Sequence, residues 1–214
     1  MGKKVHIDRV REFVARTPIF TARDVAAIVG DRGYALLMLH NLAGRGEVHR
    51  VARGLYSRLD DPVLAVFAFA PAYLGLQEAL SMRGGWEQET NVVLVTSGKA
   101  APGEREVLGG RVIVHRVAPK YFFGFDHVPY GDFDVPVSDL EKTLIDLVYF
   151  REPPGEDVFG ELLEKADREV LDGYLARYPK GFAARFRSAA GGKARGARAA
   201  VSAEAQAVRR SSRG

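Results

Sequence analysis

Cysteine is absent from the 214-residue chain, which removes disulfides, thiolate zinc sites and cysteine nucleophiles together. Long apolar runs are missing as well. The longest, Pro62 to Leu76, carries two prolines and falls short of the roughly 18 to 20 residues needed to cross a bilayer. The opening Met1-Gly-Lys-Lys leads into an amphipathic stretch, not an apolar signal segment, so the expected location is cytoplasmic, with no membrane contact. The five histidines, His6, His40, His49, His115 and His127, form no i, i+4 pair and no His-Glu-x-x-His arrangement, so no metal site is expected. No G-x-S-x-G elbow, Walker-type phosphate loop or G-x-G-x-x-G turn occurs either. The expectation is a protein that is not an enzyme, with no catalytic residues and no cofactor.

What is present is charge of uneven distribution. Residues 1–59 hold 11 Lys/Arg against 5 Asp/Glu, residues 60–182 hold 12 against 21, and residues 183–214 hold 8 against 1. Two basic ends therefore flank an acidic middle. A basic module suits polyphosphate, because neutralised phosphates release their condensed counterions. A solvated charged face would have the same composition.

The order of elements in the first 60 residues narrows the choice. Ile7, Val10, Phe13 and Val14 recur on one helical face, predicting a helix over His6 to Arg16 that Thr17-Pro18 stops. Thr21 is placed to cap a second helix, Ala22 to Val29, with Asp24 in its first turn and Gly30 at its end. Asp31 can cap a third, Arg32 to Arg45, with Leu36, Leu39 and Leu42 or Ala43 facing inward. The period then changes from helical to alternating. Val48 to Val51 and Leu55 to Arg58 read as two strands joined by Ala52-Arg53-Gly54, where Gly54 is free to take a positive φ. Three helices followed by a basic hairpin is the order of a winged helix-turn-helix.

Asp60-Asp61-Pro62 marks a boundary, beyond which a small mixed α/β domain over 61–182 is expected. Val63 to Ala70 and Leu74 to Met82 read as helices, and Asn91 to Thr96 as a buried strand. Ser97 to Gly110 reads as a loop, and Arg111 to Val117 as a second strand. Tyr121 to Phe125 is an aromatic knot or third strand. Phe133 to Val137 is a strand whose Pro136 argues for a sheet edge. Asp139 to Phe150, Asp157 to Lys165 and Glu169 to Tyr178 read as helices. Residues 183–214 are Ala, Gly, Arg and Ser with little large apolar content, and are expected to be a disordered basic tail. That tail is either an electrostatic arm on DNA or a solubilising appendage. The fold class is thus α+β: a winged helix-turn-helix over 1–60, the α/β domain, then the tail.

With Leu36, Leu39 and Leu42 inward, Arg32, Tyr34, Ala35, Met38, Asn41 and Arg45 point outward. Arg can fork onto guanine, Asn onto adenine, and small apolar groups can meet the thymine methyl. On the hairpin, Arg53 at the tip with His49, Arg50 and Arg58 beside it is placed for phosphate or the minor groove. Ordinary surface residues would have the same pattern. The acidic run Asp132, Asp134, Asp139, Glu141, Lys142, Asp146 is the one candidate for metal-dependent nuclease chemistry. Glu141 and Lys142 diverge by about 100° on a helix, so a helix N-terminus capped by Ser138 or Asp139 is the better account.

Three segments in order resemble one family: Leu42-Ala-Gly-Arg-Gly-Glu-Val-His-Arg-Val-Ala-Arg-Gly-Leu-Tyr56; Tyr73-Leu-Gly-Leu-Gln-Glu-Ala-Leu80 with Gly85-Trp-Glu-Gln-Glu-Thr-Asn-Val-Val-Leu-Val-Thr96; and Val137-Ser-Asp-Leu-Glu-Lys-Thr-Leu-Ile-Asp-Leu147. Together they are similar to the AbiEi-type antitoxin and transcriptional-regulator family of abortive-infection, type IV toxin–antitoxin systems. The resemblance implies an N-terminal winged helix that binds an operator in double-stranded DNA and represses its own operon. It also implies a C-terminal part that counters a nucleotidyltransferase-type toxin. The family's reading helix maps to Arg32–Arg45 and its wing to Val48–Arg58. The alternative is a protein-interaction module whose acidic middle binds a partner such as a toxin, with DNA binding secondary.

Overall fold

The computed structural model describes residues 2–84 and 91–190. Residues 85–90, part of the second resembling segment, and the basic stretch from 191 onward lie outside these.

Helix α1 spans Gly2–Arg16 and buries Val10 and Val14, one turn apart, with Ile7 and Phe13 packed beside them. It starts before the predicted His6. Thr17-Pro18 ends it, and strand β1 (Ile19–Thr21) follows. Thr21 opens α2 (Ala22–Val29) through a reciprocal capping box. Its Oγ1 accepts from the Asp24 amide at 3.3 Å, and Asp24 Oδ2 accepts from the Thr21 amide at 2.7 Å. Two otherwise unpaired amide donors are satisfied there. Beyond the left-handed Gly30, Asp31 caps α3 (Arg32–Gly44) by accepting from the Tyr34 amide at 2.6 Å.

The phase of α3 differs from the expectation. Ala35, Met38, Leu39 and Leu42 form the buried stripe, at the i, i+3, i+4, i+7 spacing of a core-facing helix. Met38, predicted to face outward, is 4% exposed, whereas Leu36, predicted inward, is 43% exposed. The two positions are about 200° apart. Because α3 carries apolar residues on every side, hydrophobic pattern alone does not set its rotation. Packing of Ala35, Met38 and Leu42 with Val10, Val14, Val25 and Val29 does.

Strands β2 (His49–Ala52) and β3 (Leu55–Ser57) form a hairpin that joins β1 in an antiparallel sheet of order β1-β3-β2. Ser57 Oγ locks its base, donating to the Pro18 carbonyl at 2.6 Å and accepting from the Leu59 amide at 2.8 Å.

A 3₁₀ turn (Pro62–Leu64) and α4 (Ala65–Ala68) lead into a second, six-stranded sheet. Its strands are β4 (Ala72–Leu74), β5 (Val92–Thr96), β6 (Gly103–Val107), β7 (Gly110–Arg116), β8 (Phe125–Tyr130) and β9 (Phe133–Ser138), with α5 (Leu76–Met82) between β4 and β5. The order is β6-β7-β5-β4-β9-β8; β5–β7 and β4–β9 are parallel and the remaining neighbours antiparallel. Alternate residues feed two cores. Val93 and Val95 join the side covered by α6 (Leu140–Phe150), α7 (Glu156–Lys165), α8 (Arg168–Leu175) and a helix over 180–190. Val92 and Leu94 join the opposite side, where Leu64, Val66 and Val51 of β2 close the layer. The architecture is mixed α+β.

Several expectations change in this half. Residues 72–74 form β4 where a helix was predicted from Leu74. Buried on both faces, this strand lacks the polar–apolar alternation of a one-sided one. The predicted loop 97–110 contains β6, an edge strand whose Glu104, Arg105 and Glu106 are exposed. The aromatic knot is not a strand but a 3₁₀ turn (Pro119–Tyr121) and connecting chain, with β8 starting at Phe125. Pro136 does not place β9 at an edge. β8 holds the edge, and β9 pairs with the short β4 in a single register pair, Leu74↔Val137. Residues 183–190, expected in the tail, continue a helix that buries Phe182 and Phe186, the latter 2% exposed.

The α6 part of the acidic run, Asp139 to Asp146, is internal wiring, whereas Asp132 and Asp134 are exposed. Asp139 caps α6, accepting from the Lys142 amide at 2.7 Å and from the Tyr174 hydroxyl at 2.7 Å. Glu141 accepts from the Asp167 amide at 2.7 Å, joining α6 to the start of α8. Lys142 and Asp146, one turn apart and fully buried, form an ion pair, and Asp146 also accepts from the Tyr73 hydroxyl at 2.6 Å. Burial pushes the Asp146 carboxyl above its usual range and the Lys142 amine below its own.

Candidate nucleic-acid interface

The start of α2, the first half of α3 and the β2–β3 turn converge on one open cleft of about 770 Å³. The Ala22 amide donates to the Gly54 carbonyl at 3.1 Å, which fixes the hairpin turn against the start of α2. Gly54 adopts φ +78, a left-handed conformation that other residues rarely hold, and it lets the turn close behind Arg53. Arg23 of α2, Arg32 of α3, and Arg50 and Arg53 of the hairpin line the cleft, together with Leu36 and Tyr56.

Among the described residues, no carboxylate lines it. The neighbouring Asp24 is engaged by the Thr21 amide and hydroxyl. None of the four arginines forms an ion pair among the described residues, whereas Arg11, Arg58, Arg83 and Arg111 are each paired with a carboxylate. Four guanidinium groups on one concavity repel one another, and an anion relieves that repulsion. A planar fork of donors also matches phosphate oxygens.

The structure sorts the predicted contact residues. Arg32, Arg50 and Arg53 are brought together in the cleft. Asn41 and Arg45 are exposed but sit toward the far end of α3, where Arg45 lies 3.9 Å from Glu47. Tyr34 is half-buried, its ring edge-on to His6 of α1. Met38 is core. His49 turns to Asp60 of the junction, 3.6 Å away, and Arg58 pairs with Asp132 of the β8–β9 hairpin, so neither lines the cleft. Sequence reasoning missed Arg23. A cation in the first turn of a helix opposes the positive end of its dipole, and that unfavourable placement was the available signal.

Among the described residues, no group of three or more His, Asp or Glu is arranged to hold a metal ion. No described helix is long and apolar enough to cross a membrane.

Comparison with known proteins fits this geometry. No protein with a curated description matches the sequence. The crystal structure of the RV2827C protein from Mycobacterium tuberculosis superposes with a TM-score of 0.58 at 15% identity, over 90% of this chain and 79% of that one. At that identity the likeness concerns the fold. Residues 8–58 match a family model described as "Transcriptional regulator, AbiEi antitoxin", and that span holds all four cleft arginines. The likeness to the AbiEi antitoxin family of transcriptional regulators is thus confined to residues 8–58, the part of the chain that carries the cleft.

Proposed function

We propose that residues 2–58 are a winged helix-turn-helix that binds double-stranded DNA, and that the protein acts as a transcriptional regulator, by binding and not by catalysis. The observation that carries this reading is the convergence of Arg23, Arg32, Arg50 and Arg53 on a cleft without a counter-charge. In this arrangement the exposed face of α3 enters the major groove, and the β2–β3 turn lies on the flanking backbone. Arg50 and Arg53 contact phosphate; Arg23, beside the amides at the start of α2, holds the next phosphate along. Specificity falls to α3. The match to an antitoxin family over residues 8–58 supports regulation of an operon that includes the protein's own gene. The partner implied is a nucleotidyltransferase-type toxin.

Selection of duplexes from a random library with the full chain tests the reading. Enrichment of a defined motif is expected. Absence of any enriched motif, together with no retention of duplex at low salt, refutes it.

A further inference from the structure

Leu36 and Leu37 are 43% and 55% exposed, and with Val170 they are the large hydrophobic side chains left in solvent among the described residues. Both lie on α3, and Leu36 also lines the arginine cleft. Exposed leucine on a helix that already has a complete buried stripe adds nothing to the core. Its neighbours say what it meets: Leu36 stands among uncompensated guanidinium groups in the cleft, with Leu37 about 100° further round the helix, and the pair fits a surface that is apolar in patches and bordered by phosphate. The major groove at thymine is such a surface, because the C5-methyl projects into it.

We infer that Leu36 and Leu37 read thymine C5-methyl groups in the major groove, making thymine the base that this protein selects there. The inference rests on the duplex-binding reading above and adds the base class. Asn41, exposed one helical turn beyond Leu37, is placed to pair with the N6 and N7 edge of a nearby adenine. Met38, buried in the core, takes no part in the contact.

Thymine and deoxyuridine differ only in that methyl group, which makes the test specific. The selected duplex is resynthesised with each thymine in turn replaced by deoxyuridine, and binding of the full chain is measured. Loss of a methyl buried against leucine should weaken binding about fourfold at one or more positions. With Leu36→Ala or Leu37→Ala, the penalty at the matching position should vanish, while the circular dichroism spectrum and melting temperature stay close to those of the unaltered protein and so report an intact fold. Deoxyuridine tolerated at every position overturns the inference and leaves the duplex-binding reading standing. So do penalties that persist in both alanine variants. A DNA-free dimer that Leu37→Ala dissociates also overturns it, because a second copy of the chain would then cover these leucines. Failure to bind any duplex at low salt overturns both readings together.

Discussion

Replacing Arg50 and Arg53 with alanine together isolates the electrostatic part of the proposed interface. Both side chains lie on the β2–β3 hairpin and line the cleft, and neither is in an ion pair among the described residues. The one intramolecular bond lost is a long 3.4 Å contact from Arg50 Nε to the Ala52 carbonyl, so the fold should be unaffected. If each of the cleft arginines Arg23, Arg32, Arg50 and Arg53 neutralises one phosphate, log K should fall with log salt at a slope of about −3.6, since each contact contributes about −0.9. The double variant should show a slope of about −1.8. Raising salt from roughly 50 to 200 mM would then weaken the unaltered protein about 150-fold and the variant about 12-fold. Fluorescence anisotropy on a labelled non-specific duplex, repeated across salt, reads both slopes. Arg111→Ala is the control, because Arg111 is paired with Glu104 on the far sheet edge. A slope that the double variant leaves unchanged, or that Arg111→Ala reduces equally, refutes the assignment of the cleft to phosphate.

The second half of the chain supplies three predictions about stability. Lys142→Met leaves Asp146 buried with its Tyr73 bond but no cation, and should cost about 3–5 kcal/mol in urea unfolding; a loss below about 1 kcal/mol would show that the pair is solvated. Phe186→Ala removes a side chain buried against Phe159, at 6.0 Å between ring centres, and should cost about 3–5 kcal/mol. A melting temperature that does not move would return residues 183–190 to the tail. His115 sits against Phe150, its Nε2 3.4 Å from Glu152, and burial pushes its pKa below the usual 6.5. The unfolded chain then binds the proton more tightly, so this contribution is complete above pH 6.5 and is lost as pH falls. His115→Phe should flatten that part of the stability profile below pH 6.5, and an unaltered profile would contradict the assignment.

The local punctuation of the first sixty residues was legible because caps act over three residues. Thr21 with Asp24, Gly30, and Asp31 with Tyr34 specify two helix starts and a stop without help from distant chain. The rotation of α3 was not legible, since its sequence is apolar on every side and Val10, Val14, Val25 and Val29 decide which residues go in. Arg58 and His49 read as exposed cations in sequence. Their carboxylates, Asp132 and Asp60, are supplied by the second half of the chain and by its junction. Arg23 joins the cleft only because the Gly54 carbonyl docks on the Ala22 amide. β4 escaped notice because burial on both faces erases the period of two. β6 escaped for the opposite reason, its exposed charges making an edge strand look like loop.

The hairpin has a consequence for how the protein could be divided. Val51, Ile19 and Leu55 share an apolar cluster with Leu64, Leu74 and Val135, and Tyr130 reaches back to Asp61 with a 2.6 Å hydrogen bond. The chain changes charge at Asp60-Asp61-Pro62, but it does not lose cohesion there. A fragment cut at that point would carry the cleft and also a newly wetted apolar flank, and would tend to associate through it. The cleft-bearing half and the large sheet share one apolar cluster across this junction, which favours expressing and exchanging them together.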